Sequence, residues 1–274
     1  MKYRSFLEPS VRNLSFEIKS NQKIGIVGRT GAGKSSILQI LLRLNDPCEG
    51  RLVIDGQDCM DLGLHTLRKN IAYIPQSPFM IQGTIRENLD PFDEFDDEAV
   101  KTALKEAGLF NFISETCGDG IETVIGETNN LFSAGQKQLM CLARAVIRKT
   151  KILVLDEASA NIDLETDNLI QQQLEKSFKD CTVLTIAHRL ATVINSDKVL
   201  VMDGGKAVEF DHPFRLLVNS LSDREITKTN AEGAPSYFAS MVRATGEETS
   251  KQLFQIARVS FKNNNAAQGP QKIR

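Results

Sequence analysis

The chain alternates apolar and polar residues at Phe16-Glu17-Ile18-Lys19, which predicts a half-buried strand. Ser20-Asn21-Gln22 reads as a turn. Lys23-Ile24-Gly25-Ile26-Val27 then predicts a buried strand that runs into a glycine-rich segment. Behind that segment, Ile37, Leu38, Ile40, Leu41, Leu42 and Leu44 recur with helical spacing, and the helix is expected to end near Asn45-Asp46-Pro47. Arg51–Gly56 predicts a further strand and turn, and Ile71–Gln76 a strand that stops at Pro75.

From about Thr84 to Val146 the pattern becomes helical. Asp97-Glu98-Ala99-Val100 opens one helix with carboxylates in its first turn, where they suit the macrodipole, and Ser133–Ile147 reads as another. Strand patterns resume at Ile152–Leu155, Thr182–Ile186 and Lys198–Met202, the last closing on the turn Asp203-Gly204-Gly205. Continuous apolar strands separated by helices predict an α/β fold with a parallel sheet covered on both faces. Beyond Pro213, Tyr237, Phe238, Met241 and Val242 suit a short docked helix, and Asn263-Asn264-Asn265 reads as a frayed end.

At 274 residues the chain is long enough for one large domain or two small ones, and 41% hydrophobic residues support a real core. A net charge of −2 gives no basic field for nucleic acid. No apolar run approaches the ~18–20 residues that cross a bilayer, and the opening residues do not lead into a signal-peptide core. Five scattered cysteines without a CxxC pair read as free thiols.

Gly28-Arg29-Thr30-Gly31-Ala32-Gly33-Lys34-Ser35 matches GxxxxGK[ST] between a strand and a helix, the context that makes it a phosphate-binding P-loop. Backbone N–H groups of Gly28 to Ser36 would face phosphate oxygens, Lys34 would reach the β- and γ-phosphates, and the Ser35 hydroxyl would meet Mg²⁺. Asp156 and Glu157 close an apolar strand. A helix cap pair is the lesser, competing reading where they stand alone; behind a P-loop they suit a magnesium-holding carboxylate and a base that polarises water. Gln76 offers an amide oxygen to the metal or the water. His188 follows a strand at the sheet edge where ligands bind, and suits a γ-phosphate contact. His65 and His212 lack such support and read as surface residues. Ser133-Ala134-Gly135-Gln136 precedes an amphipathic helix, and on its own reads as an ordinary capped start.

In this order the P-loop, Gln76, Leu131–Gln136, Ile152–Glu157, Ser159-Ala160-Asn161-Ile162-Asp163 and His188 resemble the full motif set of an ATP-binding cassette domain. Gly83–Phe92 and Lys151–Ala158 resemble the second nucleotide-binding domain of the multidrug-resistance-associated (C) subfamily of ABC transporters. Tyr3 matches the family's adenine-stacking aromatic. The resemblance implies a RecA-like parallel-sheet core with an antiparallel β-subdomain and an inserted helical subdomain. It divides the chain at 1–85, 86–147, 148–212 and 213–274: β-subdomain with P-loop core, helical subdomain, second core part, and C-terminal helical extension with a flexible tail. It also implies ATP and Mg²⁺, with a second nucleotide-binding domain and transmembrane domains as partners. The two cassettes would associate head to tail at the cytoplasmic face of a membrane. Ser133, Gly135 and Gln136 would then touch the partner's ATP, Asp163 would lie between the two sites, and the helical region after Gln76 would receive the transmembrane coupling helices.

Two departures qualify the resemblance. The family's LSGGQ core stands here as Phe132-Ser133-Ala134-Gly135-Gln136, which implies that the site using this signature is the weaker one, while intact Glu157 marks this chain's own P-loop site as hydrolytic. The family's first strand is missing before Tyr3, as expected of a piece of a longer transporter. A soluble ABC-type ATPase is the alternative reading, but the tandem cassettes or inserted coiled coil of those proteins are not visible here. A regulatory cassette without transport fits less well with Glu157 and His188, and a P-loop kinase or GTPase leaves Leu131–Gln136 unexplained.

Overall fold

The structure is a computed structural model that describes residues 1–2, 8–126, 131–156, 162–231 and 233–267. Its strands are β1 (Lys23–Gly28), β2 (Val53–Ile54), β3 (Gln57–Asp58), β4 (Ile71–Ile74), β5 (Gly83–Thr84), β6 (Val124–Ile125), β7 (Ile152–Asp156), β8 (Thr182–Ile186), β9 (Lys198–Asp203) and β10 (Lys206–Asp211). Its helices are α1 (Lys34–Leu41), α2 (Leu64–Lys69), α3 (Ile85–Leu89), α4 (Asp97–Glu106), α5 (Phe110–Thr116), α6 (Ala134–Arg148), α7 (Leu164–Ser177), α8 (Pro213–Leu217), α9 (Tyr237–Arg243) and α10 (Glu247–Ala267). The chain forms two compact units, one of Met1–Leu62 with Leu184–Arg274 and one of Gly63–Val183, the division falling inside β8.

In the first unit β1 runs parallel to β9, with Ile24 opposite Lys198 and Gly28 opposite Met202. Ile24, Ile26, Val27, Val199, Leu200 and Val201 are all buried, as strands covered on both faces must be. β10 is an antiparallel edge strand on β9, with a register break between Ala207 and Glu209 that disrupts its alternation. This strand lies past the turn where the apolar pattern stops. Phe16–Lys19, expected as a strand, forms no ladder; the Phe16 ring instead packs edge-on against Phe210 at 5.5 Å. Helix α1 stops earlier than its apolar pattern suggests. Arg43 turns left-handed (φ 46°) and sends its guanidinium to the carbonyls of Cys59 and Leu62 at 2.8 and 2.6 Å.

A core of Val193, Val199, Val201, Phe214, Phe238, Val242, Phe254 and Ala257 holds α8, α9 and α10 onto this unit. The docked helix expected at Tyr237–Val242 is α9, with Phe238 and Val242 fully buried. Two expectations need correction. Asn263–Asn265 continue α10 instead of fraying, because Phe254 and Phe261 pin the helix to Phe214 and Asn264 Nδ2 donates to Asp197 Oδ1 at 3.3 Å. His212 is buried, 7% exposed, with its ring 5.0 Å from that of Phe261.

In the second unit β4 pairs with β7 in parallel, Ile71 opposite Ile152 and Ile74 opposite Leu155. Helices α3 to α7 pack around a core that includes Ile85, Leu89, Leu104, Leu109, Ile113, Met140, Leu142 and Leu153. The five cysteines are free, as the sequence implies. No described helix is long and apolar enough to cross a membrane.

Candidate nucleotide site

The P-loop lies in the first unit. Strand β1 delivers Gly28 to the loop, and Gly33 caps α1 in a left-handed conformation (φ 97°) that L side chains rarely adopt. A Cβ at Gly33 would also lie 2.7 Å from the Ser10 carbonyl oxygen, so position 33 needs glycine on both counts. The Gly205 N–H donates to the Ala32 carbonyl at 3.1 Å and braces the loop from the β9–β10 turn. Lys34 is buried, and its ammonium donates to the carbonyls of Gly28 (2.9 Å) and Arg29 (3.3 Å). Arg29, Thr30, Gly31 and Ser35 are exposed, whereas Ala32 and Ser36 are buried. The loop therefore presents a pinned cation and a left-handed glycine at a helix start, which suits phosphate oxygens. His188 is exposed one residue beyond Ala187, whose N–H donates to Ile26 on β1 at 3.1 Å. That bond sets His188 near the strand that feeds the P-loop.

The second unit holds the other expected groups. The register of β4 and β7 brings Gln76 and Asp156 out of adjacent strands at the same end. Tyr73, unremarked in the sequence, donates its hydroxyl to Asp156 Oδ2 at 3.2 Å. Burial first, and then the Asp156 charge and this bond, push the Tyr73 phenol up to about 12. Gln76 and Asp156 in the second unit, and Ser35 in the first, each carry a hard oxygen donor of the kind that Mg²⁺ takes.

The segment Ser133–Gln136 builds a capping box on α6. Ser133 Oγ accepts from the Gln136 N–H at 3.2 Å, and Gln136 Oε1 accepts from the Ser133 N–H at 2.8 Å. Gly135 is buried, and a Cβ there would stand 2.7 Å from Thr166 Cγ2 on α7, so close helix packing alone requires glycine. Asp163 caps α7 by accepting from the Thr166 N–H at 2.9 Å, and this bond holds its carboxyl below the usual range. Sequence reasoning also missed two residues that tie α6 to the segment around Gln76. Gln138 donates to the Pro75 carbonyl at 3.0 Å, and Arg144 reaches the carbonyls of Asn88 and Phe79 at 2.6 and 2.9 Å. Tyr3, Glu157 and Ser159–Asn161 lie outside the described residues.

A family described as ABC transporter matches residues 11–160, more than half of the chain. The chain belongs to the ABC transporter family. It is 46% identical to a probable multidrug resistance-associated protein, lethal(2)03659, of Drosophila melanogaster, over 94% of this chain and 18% of that protein. It is likewise 46% identical to the human ATP-binding cassette sub-family C member 4, over 93% of this chain and 18% of the relative. Among solved structures, a bacterial Atm1-family ABC exporter with ATP bound superposes with a TM-score of 0.76 at 32% identity, over 90% of this chain and 40% of the exporter chain. The expected fold class holds, with a mixed, mostly parallel sheet. These relatives make this a nucleotide-binding domain of the C-subfamily type, and the chain spans less than a fifth of the length of the two curated relatives named.

Proposed function

We propose that this chain is the second nucleotide-binding domain of a C-subfamily exporter, and that it drives transport by ATP-dependent association with another cassette. The observation that carries this reading is the pairing of a P-loop that pins Lys34 with a separately capped signature helix at Ser133. In this reading Gly28–Ser36 bind the phosphates, Tyr3 stacks on adenine, and Ser35, Gln76 and Asp156 hold Mg²⁺, which neutralises charge on the transferred phosphoryl group. Glu157 polarises the attacking water and His188 meets the γ-phosphate. Ser133, Gly135 and Gln136 complete the other cassette's ATP site, and Ala134 makes that site the weaker of the two. The same reading divides the chain at 1–85, 86–147, 148–212 and 213–274, with its partners at the cytoplasmic face of a membrane.

The test is ATP turnover against chain concentration, with Glu157→Gln beside the parent. The isolated chain should bind ATP but turn over poorly, with a specific rate that rises with concentration. Glu157→Gln should keep binding and lose roughly 10²-fold in turnover, the scale of a lost general base. A fast rate that is independent of concentration would overturn the shared-site reading, and near-normal hydrolysis by Glu157→Gln would remove that residue's role.

A further inference from the structure

Tyr73 lies on β4 opposite Val154 of β7, and the two-residue period of a strand puts Tyr73, Val154 and Asp156 on one sheet face. Tyr73 is 40% exposed, so water is available to it, yet its hydroxyl crosses to the neighbouring strand and donates to Asp156 Oδ2 at 3.2 Å. A carboxylate turns easily about its last torsion, which has broad, roughly two-fold minima. A donor fixed on a paired strand restricts that rotation. Two residues past the end of this strand, after Pro75, whose carbonyl accepts from Gln138, stands Gln76. The strand that carries the donor to Asp156 thus leads, within two residues of its end, to the amide expected at the metal.

We infer that Tyr73 is a positioning residue whose hydroxyl orients the Asp156 carboxylate for the magnesium ion that accompanies the nucleotide. The inference rests on the reading above, in which Asp156 holds that ion. Tyr73 does not touch the ion; it supplies the outer hydrogen bond that ligating carboxylates commonly receive. Tyr73→Phe keeps the ring and removes the hydroxyl donor.

The experiment measures binding of a fluorescent ATP analogue to the 274-residue chain, first in EDTA and then along a Mg²⁺ titration. It compares the parent, Tyr73→Phe and Asp156→Asn. Tyr73→Phe should match the parent in EDTA, which also reports an intact P-loop, and should need about ten-fold more Mg²⁺ to reach half-effect, the low end for loss of an outer-shell partner. If Asp156→Asn raises the Mg²⁺ midpoint and Tyr73→Phe leaves it unchanged, the positioning role is overturned while the metal reading stands. If neither variant moves the midpoint, the metal reading fails and takes the inference with it. Weaker binding by Tyr73→Phe in EDTA by the same factor as in Mg²⁺ also overturns it, since the hydroxyl would then serve the fold and not the ion.

Discussion

Gln138 Nε2 donates to the Pro75 carbonyl at 3.0 Å, joining the helix that opens at Ser133 to the residue before Gln76. The Gln138 side chain is buried, and its Oε1 has no hydrogen-bond partner among the described residues. Gln138→Met therefore removes one good bond and one unmet acceptor together, at nearly constant volume. Urea denaturation should show a net change within about 1 kcal/mol. A loss beyond about 3 kcal/mol would mean that the Pro75 bond, and not packing, dominates this contact.

Lys34 holds its ammonium against the Gly28 and Arg29 carbonyls. Those bonds hold the cation at the loop whose backbone would meet the phosphates. Lys34→Met should lower ATP-analogue affinity about 100-fold, the scale of losing a charge-assisted contact to phosphate. Lys34→Arg should not restore it, because a planar guanidinium does not fit a cradle shaped for a compact ammonium. Calorimetric titration of both variants checks this, and parent-like affinity in either would contradict the assignment.

The legible parts of the molecule were those whose physics is local. Unbroken apolar runs announce β1, β7, β8 and β9, and the P-loop reads directly because its glycines serve the backbone within a few residues. Strand β10 is hidden in the sequence because the register break after Ala207 spoils its alternation. The tyrosine–aspartate bond depends on the pairing of β4 with β7, which sequence spacing does not reveal. His212 read as a surface residue because its burial comes from Phe261, far along the chain on α10. Gly135 reads in the sequence as part of a capped helix start, and its packing need for glycine comes from Thr166 on α7, which stands where its side chain would be.

Ser133 has one hydroxyl and two expected tasks, the cap on α6 and the partner's ATP, and substitutions can separate them. Ser133→Ala removes the acceptor for the Gln136 N–H and should cost about 1 kcal/mol of stability. Ser133→Asp keeps an acceptor at the N-cap and should stay near parental stability. The same carboxylate would face the partner's phosphates, so in the assembled pair of cassettes the Asp variant should hydrolyse less ATP than the Ala variant. Thermal melts and turnover on the same two proteins give the comparison, and an Asp variant as active as the parent would remove Ser133 from the partner's site.

His212 Nδ1 accepts from the Phe214 N–H at 3.1 Å and caps α8, a role open only to the neutral ring. Burial pushes its imidazole down to about 4, against the pull of Asp197 and Asp211 and with the help of Arg215. The unfolded chain binds this proton near pH 6.5, so between about 6.5 and 4 it holds more protons than the folded one. Stability from this group is complete above about pH 6.5 and is lost as the pH falls toward 4, by at most about 3 kcal/mol. Asparagine at 212 retains an N-cap acceptor without a titrating group. Urea midpoints from pH 7 to 4 should therefore fall less steeply for His212→Asn than for the parent, and parallel curves would show that His212 takes no part in the acid response.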